Sequence, residues 1–302
     1  AVILLALGLM TVPGFRAILA AAAEDLAPPA TTNLVRIGIA PGTWGGVNRN
    51  DASAAIAAWA KIIMLQRGMT LDVETKLFES DEDMSQALRS GRVDAVSMLS
   101  HQFLHLEPRL QPDTVFLASK NVLLVHRASG IENVGGLRGG KLLVENSART
   151  SLAPQWLETL LARQSLAPAA QFFKSMSRID NPSKVVLQVF FHQAEACVVT
   201  TNVFALSGEL NPQVHKELKV LAVSPAVVPS LFYFRPGHAS RAREQLEPAI
   251  RSLHEHPAGL QVLTVFQCEQ MVRHPISCFD GTRELLAEYE RARKISSDPA
   301  KR

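Results

Sequence analysis

The chain of 302 residues is long enough for two domains of ordinary size, each with its own core. Hydrophobic residues make up 47% and charged residues 20%, the balance of a globular chain. A formal charge of +3 from scattered basic residues excludes a nucleic-acid stripe, and 6% aromatic residues exclude a stacking platform for single strands.

The first segment, AVILLALGLMTV, is an apolar run of signal-peptide length, and PGFRAILAAAAED after it ends in small residues suited to cleavage near Ala23. The alternative is a membrane anchor. Arg16 and the Pro13-Gly14 break keep the uninterrupted apolar stretch below the roughly 18 residues of a spanning helix. Residues 1–23 are therefore expected to be a signal peptide, and the mature protein to be exported.

Strand and helix patterns then alternate. LVRIGIA reads as a strand, DASAAIAAWAKIIMLQRG as a helix stopped at Gly68, and LDVETKLF as a strand. DEDMSQALRSG reads as a short helix and VDAVSML as a buried strand; DTVFLAS and VLLVHR are further strands after HQFLHLEPRL. The rhythm restarts with GGLRGGKLLVE, a polar turn, and the helix PQWLETLLARQSL. AQFFKSM is strand-like, NPSKVVLQVFF helical, and AEACVVTT a strand. NVFALSGELNPQVHKEL reads as helix and loop, KVLAVS as a strand, and helical patterns from SRAREQLEPAIRSLHEH to TRELLAEYERARK follow LFYFRP. This is the rhythm of an α/β chain with largely parallel sheets. No repeat or low-complexity linker divides it, as expected of lobes joined by at least two chain crossings.

The turn VENSARTSLAPQW carries more polar groups than a helix start needs: Asn146, Ser147, Thr150 and Ser151 surround Arg149. Thr150 and Ser151 read either as caps or as ligand groups, and Arg149 either as a ligand group or as half of a surface ion pair. Ser100 and His101 follow the strand ending at Leu99, and Thr200, Thr201 and Asn202 follow CVV, where α/β sheets present ligand loops. Trp44, in PGTWGG, either stacks on a ligand or packs over a hinge. Arg178, in SRID, completes the candidates.

Cys197, in ACVV, reads as a buried strand thiol, whereas Cys268 and Cys278 flank EQMVRHPIS and would close a small loop by a disulfide in an oxidising compartment. His101 and His105 lack the companions of a metal site and read as packed or solvated. No P-loop, Gly-x-Ser-x-Gly elbow or zinc-ligand helix occurs, and Asp94 and Glu145 read as capping or salt-bridge carboxylates.

From LVRIGIAPGTWG onward, the order of segments resembles the phosphate, phosphite and phosphonate class of periplasmic solute-binding proteins used by ABC importers, within the type II periplasmic binding protein superfamily. ALRSGRVDAVSMLSHQFL resembles the family's Gly-x-Val-Asp strand opening into a ligand-side loop. VHRASGIENVGGLRGGKLLVENSARTS resembles the stretch that leads into its Ser-Thr-Ser anion loop. VFFHQAEACVVTTNVF resembles the strand that delivers polar residues to the cleft, and LKVLAVSPAVVPSLFYFRP the return crossing. The resemblance spans residues 34–290.

It implies an α/β, two-lobed periplasmic-binding-protein fold, each lobe a mixed, mostly parallel sheet flanked by helices, with two hinge crossings. One lobe would hold 34–127 plus 227–302, the other 128–226. A small anionic ligand would be held between them by Trp44, Ser100, His101, Ser147, Arg149, Thr150, Ser151, Arg178, Thr200, Thr201 and Asn202. No catalytic residue, metal, cofactor or nucleic acid is implied. The expected partner is an ABC transporter permease, and the expected form a periplasmic monomer. A ligand-sensing component of a signalling system and a small exported enzyme on the same fold are the alternatives. The turn departs from the family's Asp-Pro-x-Ser-Thr-Ser-Gly, keeping only the pair Thr150-Ser151 and placing Leu152 where Gly is usual. Phe103 stands where relatives present a tyrosine hydroxyl, and SRID replaces a Ser-His-Asp region. Phosphonate, carboxylate, sulfonate or another anion therefore stays open as ligand.

Overall fold

The structure, a computed structural model, describes residues 33–43, 71–106, 114–116, 118–235, 241–265 and 269–297, with the isolated positions 53, 57, 60, 64 and 68. The expected signal peptide, Trp44 and Cys268 lie outside the described residues. Of the helix expected before Gly68, Ser53, Ala57, Ala60 and Met64 are helical, and Ala60 and Met64 are buried. Gly68 has φ +59, a left-handed stop that glycine adopts without strain.

The chain begins with β1 (Asn33–Ile39), β2 (Leu71–Leu77), α1 (Asp81–Arg89), β3 (Ala95–Leu99), α2 (Ser100–Leu106) and β4 (Thr114–Phe116). Next come β5 (Asn121–His126), β6 (Lys141–Glu145), α3 (Ala153–Arg163), α4 (Ala169–Phe172), β7 (Ser175–Ile179) and α5 (Pro182–Phe190). β8 (Ala196–Thr200), α6 (Thr201–Leu210), α7 (Pro212–Glu217) and β9 (Leu218–Val223) follow. The chain ends with β10 (Ser230–Phe234), α8 (Arg241–Arg251), α9 (Pro257–Val265), β11 (Met271–Val272) and α10 (Asp280–Ser297).

The strands form a six-stranded sheet, β11-β4-β10-β3-β1-β2, and a five-stranded sheet, β7-β6-β8-β5-β9. β1 pairs in parallel with β2 and β3, and β6 with β7 and β8, because helical crossovers join these strands. β10 and β5 arrive from the other lobe without a helical crossover, and each pairs antiparallel with both neighbours. Both sheets are therefore mixed, with a larger antiparallel share than the strand-helix alternation led one to expect.

β5 corrects the expected lobe boundary. VLLVHR was expected in the first lobe, but β5 lies in the five-stranded sheet between β8 and β9. The first crossing falls at Ser119-Lys120, and Ser119 bridges Val227 of the return crossing. Leu123 and Val125 join one core cluster, with Trp156 and Leu157 of α3. Val122 and Leu124 join the opposite cluster, with Val185, Val186 and Val189 of α5. A strand buried on both faces carries no mark of which sheet it joins.

The strand expected over AQFFKSM is also displaced. Ala169–Phe172 forms α4, and β7 begins only at Ser175. Phe172 and Phe173 pack edge to face at 4.9 Å and bury in the core under α3, whereas β7 is an exposed edge strand without alternation. α10 lies against α3, with Leu285 in the second lobe's core and Arg163 Nη2 2.6 Å from both carboxylate oxygens of Glu288. Asp94 is buried and accepts from the Arg36 backbone at 3.0 Å, with the Arg36 and Arg235 guanidinium groups at 3.9 and 3.8 Å. That is the salt-bridge role expected of it. Cys197 is a buried thiol in β8. Cys278 is a half-buried free thiol, and the other half of the expected Cys268–Cys278 bridge lies outside the described residues.

Candidate functional site

The order of each sheet marks where a crevice opens. β6 lies between β7 and β8, so the connections that reach its two neighbours diverge at its carboxyl end; β1, between β2 and β3, repeats this in the first lobe. Open α/β sheets place ligands at such points. The turns after β6, β8 and β3 all lie at the carboxyl ends of parallel neighbours.

After β6, the Asn146 amide nitrogen donates to Asp180 at 2.7 Å and its backbone N–H to the Ile179 carbonyl at 2.9 Å. Ser147 caps a 3-10 turn, Ala148–Thr150, and α3 follows with Pro154 in its first turn. Thr150 is fully buried. Its hydroxyl donates to the Glu145 carbonyl and accepts from Ser147 N–H at 3.3 Å, with Ser147 Oγ at 3.2 Å. Arg178 braces the turn from β7, its guanidinium 3.4 Å from the Thr150 carbonyl. Thr150, Ser147 and Arg178 thus hold the turn's shape, and only Ser151 keeps a buried hydroxyl without a protein partner. Thr150→Val keeps the volume but strips these bonds. It is expected to cost about 1–3 kcal/mol by chemical denaturation, the cost of leaving a buried polar group unpaired.

Two other candidates meet. Arg149, with 16% of its side chain exposed, places Nη2 3.6 Å from Oε1 of Glu269. Asn202, in the first turn of α6, donates from Nδ2 to the same oxygen at 3.2 Å. Glu269 comes from the segment just before β11, in the other lobe.

Glu145, the last residue of β6, is buried between these turns. Its carboxylate accepts Thr200 N–H at 3.3 Å, while Thr200 Oγ1 caps α6 by accepting Val203 N–H at 3.2 Å, and Thr201 N–H reaches the Lys120 carbonyl at 2.9 Å. Burial pushes the Glu145 pKa up, against the opposing pull of its Ser147 and Thr200 hydrogen bonds and the Arg149 charge. The folded chain therefore holds this proton to higher pH than the unfolded chain, whose carboxyl titrates near 4.5. The stability contributed by the neutral form is complete below pH 4.5 and is lost as pH rises through the elevated folded value. Glu145→Gln is neutral throughout, so calorimetric scans should show its melting temperature gaining on wild type between acidic and neutral pH.

On the first lobe, Ser100 and His101 open α2 directly after β3. Ser100 N–H donates to the Pro229 carbonyl at 3.0 Å, but its buried hydroxyl has no protein partner. His101 Nδ1 is likewise buried and unpartnered; desolvation lowers its pKa, with Asp81 opposing. Phe103, which stands where relatives present a tyrosine hydroxyl, is a core residue. Sequence reasoning missed three further groups at the crossings: Ser119 Oγ, the Asn121 side-chain amide and Ser230 Oγ, all buried and without protein partners. Asn121 lies opposite Thr200 and Ser230 opposite Leu99. For Asn121 and Ser230 the available signal was a polar residue leading an apolar run, as in NVLLV and SLFYF. Glu269 was missed without any signal. Among the described residues no group of three or more His, Cys, Asp or Glu is placed to hold a metal ion.

The model of the family described as ABC transporter, phosphonate, periplasmic substrate-binding protein matches residues 46–274. No curated protein matches the chain. Among solved structures, a Xanthomonas citri protein bound to ATP is similar at TM-score 0.58 and 17% identity, over 87% of this chain and 99% of that one. A binding-protein component of an ABC phosphonate transporter from Pseudomonas aeruginosa is similar at TM-score 0.56 and 14% identity, over 88% of this chain and 89% of that one. PhnD1 from Prochlorococcus marinus, in complex with methylphosphonate, is similar at TM-score 0.55 and 12% identity, over 86% of this chain and 99% of that one. At these identities the structures share a fold.

Proposed function

The chain belongs to the family of periplasmic phosphonate substrate-binding proteins of ABC transporters, and from that premise we propose that it captures a small oxyanion between its lobes for delivery to a permease. The observation that carries the reading is the convergence of Arg149 and Asn202 on one carboxylate oxygen of Glu269. Donors that hold a carboxylate oxygen are equally suited to an oxygen of a phosphate, phosphonate, sulfonate or carboxylate solute. The amino end of α6 adds a favourable dipole for a negative charge. The buried, unpartnered hydroxyls of Ser100, Ser151 and Ser230 and the amide of Asn121 supply further polar groups, which buried sites rarely leave unused.

This is a binding arrangement of donors around an anion, and in this reading the protein is a monomeric carrier without a cofactor, exported with residues 1–23 removed. The test is a thermal-shift screen of inorganic phosphate, phosphite, methylphosphonate, ATP, an alkanesulfonate, dicarboxylates and amino acids. A solute at a hundredfold its dissociation constant adds about 2.7 kcal/mol of apparent stability, a clear rise in melting temperature. At least one oxyanion should give that rise. A flat response to all of them overturns the reading.

A further inference from the structure

The residue that displays the site also blocks it. Glu269 lies just before β11, whose pairing with β4 fixes that segment to the six-stranded sheet. Arg149 and Asn202 follow strands of the five-stranded sheet. The contact therefore spans the lobes, and it uses the donors that the proposed function assigns to solute. We propose that Glu269 is an internal competitor for the oxyanion: its carboxylate holds Arg149 and Asn202 across the cleft until an incoming solute displaces it. This rests on the reading of the site as an oxyanion site.

The strength of the contact suits displacement. Arg149 is largely shielded from water, whereas the Glu269 side chain is 60% exposed and engages through a single oxygen. An ion pair at 3.6 Å with one solvated partner is weak. A tetrahedral oxyanion can give two oxygens to the guanidinium, as a free carboxylate can, but it keeps a further oxygen for Asn202 and, when doubly charged, carries more charge than the resident carboxylate. The competitor thus sets a threshold: a solute with one carboxylate gains little by replacing another carboxylate, and a phosphate or phosphonate gains more. Glu269 is in this sense a specificity-determining residue.

Its loss should also loosen the lobes. A second ion pair between distant elements, Arg163 of α3 with Glu288 of α10, sits at the far end of α3, about 15 Å along the helix from the Arg149 turn. It is not placed to hold the loops that Glu269 holds.

The experiment uses the full mature protein and Glu269→Gln, with Glu132→Gln as control, since Glu132 pairs with Lys219 outside the site at 2.7 Å. Small-angle X-ray scattering without added solute should show a larger radius of gyration for Glu269→Gln than for wild type and the control, and Asn202→Ala should reproduce the direction of change. Titration calorimetry with methylphosphonate and with inorganic phosphate should show affinity raised about tenfold in Glu269→Gln, the scale of one charge-assisted contact. An unchanged radius of gyration overturns the proposal, and so does equal or weaker affinity for an anion that binds wild type. If neither anion binds either protein, the oxyanion reading loses its support, while scattering still decides whether Glu269 joins the lobes.

Discussion

Arg149→Ala is expected to remove most of the oxyanion affinity while moving the melting temperature of the solute-free protein by only about 1–2 °C. The two effects separate because the guanidinium lies outside the hydrophobic clusters and its pair with Glu269 is weak and half solvated. Against a bound anion the same group acts as a shielded, charge-assisted donor. Truncating one partner of such a contact costs about 2–5 kcal/mol, a loss of roughly thirtyfold to several thousandfold in affinity. Titration calorimetry with the tightest oxyanion from the screen measures it. Unchanged affinity would reduce the turn at 146–151 to a well-capped helix start and move the site elsewhere.

The reason that turn was legible in the sequence is also the reason its reading was incomplete. Five polar residues at one strand-helix junction exceed what capping needs, so the excess flagged a site. The composition of the junction does not say which hydroxyls the turn consumes. Thr150 and Ser147 satisfy one another and Glu145, whereas Arg149 extends to the other lobe. That division depends on the 3-10 geometry of three residues. The ordering of strands and helices was legible because hydrophobic period and stop residues such as Gly68 are local. The sheet that β5 joins was not, since an all-apolar strand fits either side of a crossing. AQFF misled for a related reason: aromatic residues favour strands, but here two of them fill a gap beneath α3 in a short helix. Glu269 was illegible because its partners lie 67 and 120 residues away in the chain, in the opposite lobe.

Phe103→Ala is expected to give the largest loss of stability, about 3–5 kcal/mol, read as a lower denaturant midpoint at unchanged slope. Phe103 is fully buried, its ring edge-on to Tyr233 of β10 at 5.1 Å and tilted against Phe279 at 5.9 Å. One side chain thus ties α2 to the strand that returns from the second lobe and to the segment leading into α10. Truncation removes both ring contacts and leaves a cavity that three separate elements would have to move together to fill. Phe103→Leu retains most of the volume and should lose less than about 1.5 kcal/mol. The position bears on binding through placement alone. Ser100 and His101 open the same helix, so loosening its seat against β10 lets both drift from the cleft. Phe103→Ala should therefore also weaken oxyanion binding, in calorimetry at temperatures where the variant remains folded, whereas Phe103→Leu should bind as wild type. Equal affinity in all three proteins would mean that α2 contributes no group to the solute.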